Sequence, residues 1–285
     1  MNTEQPRDTY LVTGATDGIG KATALGLARS GARVILHGRN RDKIATVMAE
    51  IQAETGNEHL HTARADFASL AEVATLAETI AADFPQLNIL VNNAGHLTDH
   101  RQESQDGFEL TFAVNYLAPY LLTRKLLDTL TANAPARIVN VASTAMGGGI
   151  IDLDDLQMTQ QFAGWQAYAN SKLANILFSN HLAGELDGVR VGCNSLCPGL
   201  IDTNFFHTNN LFSGRYESMR TNMRTAEEGA LVPLYLAADP DAARYNGKFF
   251  IREGRDGRRP VPLNWDPDLA TELWNRSEEY VRDWL

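Results

Sequence analysis

Tyr168 and Lys172 stand four positions apart, and their side chains can together move a proton. The stretch "YANSK" is predicted to be helical, so both side chains lie on one face and can reach a common ligand. A free tyrosine has a pKa near ~10, and a neighbouring ammonium group stabilises the phenolate left after the proton is donated. A bare Y-x-x-x-K pattern is more often an exposed tyrosine beside a solvated lysine. The acid–base interpretation therefore depends on other site residues.

A glycine-rich stretch, "LVTGATDGIG" at residues 11–20, contains Gly14, Gly18 and Gly20. It follows a short apolar run and precedes a predicted helix, so bare backbone N–H groups lie at a positive helix end, where an anion binds. Glycines there permit a tight turn and let the backbone touch a pyrophosphate. The alternative is a turn that merely connects two elements. Because this is the first strand-to-helix turn, we favour dinucleotide binding, with Asp17 as the helix N-cap.

The elements that must position these residues alternate along the chain. Amphipathic helical patterns separate short apolar runs, and this alternation predicts a parallel sheet with helical crossovers. We expect one domain over residues 1–285, a doubly wound α/β (Rossmann) sheet of about seven parallel strands with helices on both faces. Residues 252–267 are predicted to be irregular and residues 265–285 to form a C-terminal helical extension. The predicted strands are "TYLVT", "ARVILHG", "HLHTARA", "LNILVNN", "ARIVNVAS", "VRVGCNSLCPG" and "KFFI".

Composition excludes several classes of function. The formal charge of −10 argues against a protein that binds nucleic acid through its phosphates. No apolar stretch is long enough to span a membrane, and the polar N-terminus carries no leader pattern, so we expect a cytoplasmic protein. The two cysteines, Cys193 and Cys197, have no second pair or histidine cluster nearby, so neither a disulfide framework nor a metal site is predicted.

Four motifs occur in order: G-x-x-x-G-x-G from Gly14, "NNAG" at 92–95, "YANSK" at 168–172 and "PGLIDT" at 198–203. In this arrangement the chain resembles the short-chain dehydrogenase/reductase family over nearly its whole length. It is most similar to the branch that contains the retinol dehydrogenases and their bacterial relatives. The segments that carry this closer resemblance are "DGFELTFAVNYLAPYLLT", "RIVNVAS", "SKLANILF" and "ELWNRSEEYV".

The resemblance implies a catalytic tetrad of Asn115, Ser143, Tyr168 and Lys172. In the family, the serine hydrogen-bonds the substrate oxygen, and the asparagine holds a water linked to the lysine. Lys172 is expected to orient the ribose and to lower the pKa of Tyr168. Taken alone, Ser143 is also typical of a polar strand terminus, and Asn115 of a residue that satisfies a helix kink.

The end of the second predicted strand indicates which cofactor binds. NAD enzymes generally carry Asp or Glu there for the ribose hydroxyls, whereas an arginine accommodates a 2′-phosphate. Here Gly38 and Arg39 occupy the place, which favours NADP(H). By resemblance, Asp66 contacts the adenine, Asn92 and Gly95 line the adenosine side, and Thr203 binds the carboxamide. Further predicted cofactor contacts are Gly14, Thr16, Asp17, Gly18, Ile19, Phe67, Ala94, Tyr168, Lys172, Pro198, Gly199 and Ile201.

An insertion lengthens the gap between Ser143 and Tyr168 to 25 positions, about twice the usual family value. Two apolar segments, at 150–165 and 205–223, are expected to cover a substrate pocket, with a lid near residues 203–224. The alternative is that these side chains fill the core or a subunit contact. His96 either faces the substrate or is a solvated loop histidine. The apolar residues are Ile150, Ile151, Leu153, Phe162, Trp165, Phe205, Phe206, Leu211, Phe212, Tyr216 and Met219.

These observations predict an NADP(H)-dependent oxidoreductase. It exchanges hydride between nicotinamide and the carbonyl or alcohol of a mostly apolar small molecule, with Tyr168 as general acid and base. Reduction of a conjugated C=C bond is a second possibility. A non-catalytic dinucleotide sensor is disfavoured because the tetrad is intact, and a methyltransferase would want an acid at Gly38. Relatives are often homodimers or homotetramers that pack through the helices preceding and containing Tyr168, although the insertion can block one interface.

Overall fold

The computed structural model describes residues 8–207, 210–214, 216–253 and 257–285. Within these residues a single sheet has the spatial order β3-β2-β1-β4-β5-β6-β7-β8. Strands β1 to β7 are parallel, which confirms the predicted doubly wound architecture. The strands are β1 (Thr9–Val12), β2 (Arg33–Gly38), β3 (Leu60–Arg64), β4 (Ile89–Asn92), β5 (Ala136–Val141), β6 (Val191–Cys197), β7 (Phe249–Glu253) and β8 (Gly257–Val261).

Strand β8 corrects the prediction that residues 252–267 are irregular throughout. It pairs antiparallel with β7, with Ile251 opposite Arg259 and Phe249 opposite Val261. The segment "GRRPV" lacks the apolar alternation that reveals a strand. Its proline is tolerated because β8 lies at the edge of the sheet.

Helices cover both faces of the sheet. Successive side chains of β1 enter different cores, since Leu11 packs with the side chains under α3, α5 and α6, and Val12 packs with those under α1, α2 and α9. The helices are α1 (Gly18–Arg29), α2 (Arg41–Thr55), α3 (Leu70–Asp83), α4 (Leu110–Phe112), α5 (Ala118–Ala132), α6 (Gly164–Glu185), α7 (Asn204–His207), α8 (Tyr216–Arg220), α9 (Ala226–Ala238) and α10 (Pro267–Val281).

Side chains cap the first turns of α2, α3 and α9. Asn40 and Ser69 accept hydrogen bonds from the backbone of α2 and α3, and Thr225 forms a capping box with Glu228 at the start of α9. A π-helical turn, Ala113–Leu117, joins α4 to α5. Because the strands are parallel, the loops that follow β1, β4, β5 and β6 meet at one edge of the sheet, where ligands bind in such folds.

Helix α10, the predicted C-terminal extension, packs across the outer sides of α5 and α6. The Trp274 ring stacks on Phe178 of α6 with 6.0 Å between centroids. Glu278 accepts hydrogen bonds from Tyr120 Oη at 2.6 Å and from Arg124 Nε at 2.7 Å, both on α5. The last helix thus binds to the helix that carries Tyr168 and Lys172.

No helix in the described part of the chain combines the length and the apolar character needed to cross a bilayer.

Candidate active site

The glycine-rich loop after β1 has the backbone conformation that its glycines permit. Gly14 and Gly18 have φ values of +64° and +47°, which residues other than glycine rarely adopt. A Cβ on Gly20 would lie 2.2 Å from the Gly14 carbonyl oxygen, so only glycine lets α1 approach the loop so closely. Asp17 caps α1 as predicted, accepting the Gly18 N–H at 2.7 Å. Next to it, Ile19 packs toward Gly229 of α9.

His37 lies beneath this loop, and the sequence analysis did not single it out. Its Nδ1 accepts the Gly14 N–H at 3.4 Å, and its Nε2 donates to the Ala65 carbonyl at 3.1 Å. The ring stacks on Phe67, with 4.5 Å between centroids. Burial lowers the pKa of His37 to about 4, so the ring is neutral near pH 7. The available signal was a lone histidine inside the apolar run of β2.

Asn93, which the sequence did not predict as a site residue, joins the loops after β1 and β4. Its Nδ2 donates to the Thr13 carbonyl at 2.8 Å, and Thr13 Oγ1 accepts the N–H groups of Asn93 and Ala94 at 2.9 and 3.0 Å. Ala94 therefore lies against the glycine loop, with its Cα 2.9 Å from the position of a Cβ on Gly14. The neighbouring Asn92 side chain turns into the sheet interior instead.

Asn92 Nδ2 donates to Thr123 Oγ1 at 3.0 Å and to Asn140 Oδ1 at 2.8 Å, and the Asn92 side chain is buried. This side chain is not brought together with the cleft residues. Gly95 lies near two other predicted site residues, and its place on the adenosine side stays a prediction. A Cβ on Gly95 would lie 3.8 Å from Lys172 Nζ and 3.7 Å from Asn115 Oδ1, so Gly95 borders these two residues of the predicted tetrad.

The loops after β2 and β3, where the adenosine is predicted to bind, contain charged residues. Arg39 is exposed directly after β2, and Asp66 follows β3, where its carboxylate accepts the Ala68 N–H at 3.0 Å. Phe67 is 5% exposed and packs into the core below. Burial lowers the pKa of His96, the Arg39 charge lowers it further, and Asp66 opposes both effects. His96 is therefore a half-buried residue electrostatically linked to Arg39 and Asp66.

Tyr168 and Lys172 lie one turn apart on α6, as the spacing predicted. Lys172 Nζ is 5.5 Å from the centre of the Tyr168 ring and donates to the Val141 carbonyl at 2.9 Å. Burial lowers the pKa of Lys172 from 10.5 to about 8. Ser143, at the end of β5, caps the following turn through the Ala145 N–H at 3.1 Å and hydrogen-bonds Tyr168.

The pKa of Tyr168 is shifted in the direction opposite to the expected one. Burial raises it well above 10, and the hydrogen bond from Ser143 offsets only part of this effect. The physical reason is that the Lys172 ammonium points at the Val141 carbonyl, so it does not compensate for the loss of water around the phenol.

Asn115 lies in the π-helical turn before α5. Its Nδ2 donates to the His96 carbonyl at 2.9 Å and to Ser171 Oγ at 3.0 Å, and its Oδ1 accepts the His96 N–H at 2.6 Å. Asn175 donates to the Asn115 carbonyl at 2.9 Å. Asn115 thus joins the loop after β4 to α6 and lies at a helix irregularity, the alternative that the sequence left open. Its role in holding a water stays a prediction.

The segment after β6 lies over the start of α1. Pro198 is buried, Gly199 has a φ of +98°, and Ile201 pairs with Arg224 in a short parallel bridge. The Thr203 methyl lies 2.7 Å from the position of a Cβ on Gly18, so the predicted lid touches the glycine loop. Residues 208, 209 and 215 of the predicted lid lie outside the described residues.

An aromatic cluster, made of Trp165, Phe205, Phe206 and Phe212, lies against the Tyr168 ring. The centroids of Phe205 and Trp165 lie 5.3 and 5.5 Å from that of Tyr168. Phe212 is 6.1 Å from Trp165 and 4.8 Å from Phe206. The cluster thus joins the insertion to the predicted lid next to the Tyr168 ring.

Other residues of the two apolar segments are not part of this cluster. Ile151 and Leu153 pack against the main core, as the alternative interpretation expected. Ile150 is 64% exposed. Tyr216 donates from Oη to Asp202 at 2.7 Å, which holds α8 to the start of the lid.

The chain is similar to short-chain dehydrogenases over most of its length. The short chain dehydrogenase family model matches residues 8–213. Human retinol dehydrogenase 13 is 37% identical over 283 residues, covering 97% of this chain and 85% of that protein. Bovine dehydrogenase/reductase SDR family member 13 is 38% identical over 278 residues, covering 95% of this chain and 72% of that protein.

Solved structures show the same architecture. A protein from Mycobacterium paratuberculosis superposes with a TM-score of 0.78 at 28% identity, covering 98% of this chain and 96% of that one. A short chain dehydrogenase from Burkholderia cenocepacia, solved in complex with NADP, has a TM-score of 0.70 at 26% identity, with coverage of 88% and 97%. The chain therefore belongs to the short-chain dehydrogenase family, in the branch of the retinol dehydrogenases, and is a dinucleotide-dependent oxidoreductase.

Proposed function

We propose that the protein transfers hydride between NADP(H) and the carbonyl or alcohol carbon of a mostly apolar small molecule. The observation that carries the proposal is the Tyr168 hydroxyl beside Ser143, beneath the aromatic cluster and one helical turn from Lys172. The fit of a dinucleotide rests on the glycine loop, where side chains at positions 14, 18 and 20 would collide with neighbouring atoms. Bare backbone at a helix N-terminus suits a pyrophosphate.

The nicotinamide, when bound, supplies or accepts the hydride. The protein's own groups then handle the oxygen atom. In reduction, Tyr168 donates its proton to the carbonyl oxygen while Ser143 hydrogen-bonds that oxygen, and the resulting phenolate regains a proton from solvent. The raised pKa keeps Tyr168 protonated near pH 7, the form that reduction needs.

The substrate class follows from the surroundings of the Tyr168 ring. The aromatic rings of Trp165 and Phe205 lie against it, and such neighbours favour an apolar ligand. The test is the consumption of NADPH in the presence of apolar aldehydes, ketones, quinones and enones. We expect turnover with carbonyl compounds to disappear in Tyr168→Phe while NADPH still binds, since only the phenol oxygen is lost. Saturated products from enones would point to C=C reduction instead.

A Tyr168→Phe variant that kept most of its activity on every accepted substrate would contradict this assignment. Absence of turnover by the wild type across the whole panel, with NADPH still bound, would support the dinucleotide-sensor alternative.

The choice of NADP(H) over NAD(H) rests on Arg39 and on the absence of an acid at Gly38. A charge-assisted bond to the 2′-phosphate is worth about 1.5–3 kcal/mol, so we expect NADPH to bind roughly tenfold to a hundredfold more tightly than NADH. Arg39→Ala should remove most of this preference. Arg29→Ala, at the other end of α1 and paired with Glu54, is the matched control and should keep it. Equal affinities of the wild type for both dinucleotides would contradict the proposal.

We expect the protein to be located in the cytoplasm and to act on a small molecule. We do not expect it to bind nucleic acid. A homodimer or homotetramer stays a prediction. Helix α10 covers the outer sides of α5 and α6, so pairing through these helices, as in many relatives, would have to displace it.

A further inference from the structure

At the end of β2, Gly38 lies against Thr16 of the glycine loop. A Cβ on Gly38 would lie 2.7 Å from the Thr16 Cγ2 methyl and 3.1 Å from Ile44 Cγ1. A contact of 3.1 Å is relieved when the Ile44 side chain shifts by a few tenths of an ångström, whereas 2.7 Å is shorter than two carbon atoms tolerate. The Thr16 methyl therefore fills the space that any side chain at position 38 would need.

The backbone on both sides of this contact is fixed. The Ala15 N–H donates to the His37 carbonyl at 2.8 Å, and the Gly14 N–H donates to His37 Nδ1 at 3.4 Å, so the loop is bonded to β2 on the N-terminal side of Thr16. The Gly38 carbonyl in turn accepts the Ala65 N–H at 3.2 Å. Neither segment can move away from the other without breaking these hydrogen bonds. Only a change in the Thr16 side chain therefore makes room for a Cβ at position 38.

We propose that Thr16 and Gly38 form a coupled pair that determines cofactor specificity, in which the Thr16 methyl keeps an acidic side chain out of position 38. An acid at this position would bond the ribose hydroxyls of NAD(H) and repel a 2′-phosphate. The inference rests on the proposed use of NADP(H). It adds that the exclusion of NAD(H) depends on the glycine loop as well as on Arg39.

The steric part is tested without any charge by the cycle Gly38→Ala, Thr16→Ser and the double variant. Serine lacks the Cγ2 methyl but keeps the hydroxyl. Overpacking at one contact typically costs about a tenfold change in an equilibrium, so Gly38→Ala should weaken NADPH and NADH binding equally, by roughly that factor. Adding Thr16→Ser should restore most of the affinity. Dissociation constants are measured by titration of nicotinamide fluorescence.

The specificity part is tested with Gly38→Asp. We expect Gly38→Asp alone to bind both dinucleotides poorly, because its Cβ meets the Thr16 methyl. Gly38→Asp with Thr16→Ser should bind NADH at least about tenfold more tightly than NADPH, the value of a charge-assisted bond gained or lost. Gly38→Asn with Thr16→Ser is the matched uncharged control and should not repel NADPH.

Thermal unfolding of every variant covers the case in which Gly38→Ala folds poorly. If Gly38→Ala lowers the melting temperature and Thr16→Ser restores it, the contact is confirmed through stability. The proposal is overturned when Gly38→Ala behaves like the wild type, or when Thr16→Ser rescues neither binding nor stability. A further outcome is that the wild type binds NADPH and NADH equally while Thr16→Ser still rescues Gly38→Ala. That result would refute the proposed cofactor and would leave the steric contact between Thr16 and position 38 supported.

Discussion

Replacing His37 tests how the structure supports the cofactor loop. His37 has a pKa lowered from 6.5 to about 4, so between these pH values the unfolded chain binds a proton there and the folded chain does not. The free energy of unfolding therefore falls as the pH falls from about 6.5 to about 4. A pKa shift of this size lowers the free energy of unfolding by about 3 kcal/mol between pH 6.5 and pH 4. Above pH 6.5 His37 is neutral in both states, and none of this stability is lost.

Two variants separate this titration from the hydrogen bond to the loop. His37→Asn keeps an acceptor near Nδ1 for the Gly14 N–H, and His37→Gln keeps a donor near Nε2 for the Ala65 carbonyl. Neither variant titrates in this range. In urea unfolding at about pH 7.5 and 4.5, the wild type should lose about 2 to 3 kcal/mol more than either variant.

The same variants differ in their effect on the cofactor. A buried N–H left without an acceptor costs about 1–3 kcal/mol, so His37→Gln should bind NADPH and NADH roughly tenfold less tightly than His37→Asn does. Equal acid sensitivity of wild type and variants would refute the buried neutral histidine. Equal affinities of the two variants would refute its support of Gly14.

Other expected outcomes follow from the site and from α10. Because the pKa of Lys172 is lowered to about 8, kcat/KM for reduction should be constant below that pH and fall above it as the ammonium is lost. An alkaline limb near the ordinary lysine value would contradict this. Replacing Phe205 and Phe212 together by serine should raise KM for bulky apolar aldehydes and spare small polar ones, and a flat response across a chain-length series would contradict the pocket. Trp274→Ala should reduce the free energy of unfolding by about 3 kcal/mol in urea, whereas a change below 1 kcal/mol, within the typical range of surface substitutions, would show that α10 is loosely attached.

The parts of the fold that the sequence predicted are those with a local signal. Runs of β-branched residues predicted β1 to β7, and the four-residue spacing predicted that Tyr168 and Lys172 share one face of α6. Strand β8 lacked such a signal, because its pairing with β7 gives it the strand conformation. At Asn115 the sequence offered a helix kink only as an alternative, since the residues of the π-helical turn are ordinary for a helix and differ only in their hydrogen bonds.

The properties of the site that depend on long-range packing were not accessible from the sequence. The raised pKa of Tyr168 arises from burial beneath residues far away in the sequence, including Phe205. The inward turn of Asn92 depends on Asn140 of the neighbouring strand. The motifs identified which residue types are present, and the packing determines which of them face the cleft.

The packing of α10 against α5 and α6 has a consequence for protein synthesis. Among the described elements, α10 is the last to leave the ribosome, yet its Trp274 and Glu278 complete the packing of α6 and α5. The helix that carries Tyr168 therefore lacks part of its support until α10 has been synthesised. A nascent chain stalled or truncated before Pro267 would carry every motif of the site and still expose the apolar side of α6, a surface that chaperones and proteases recognise.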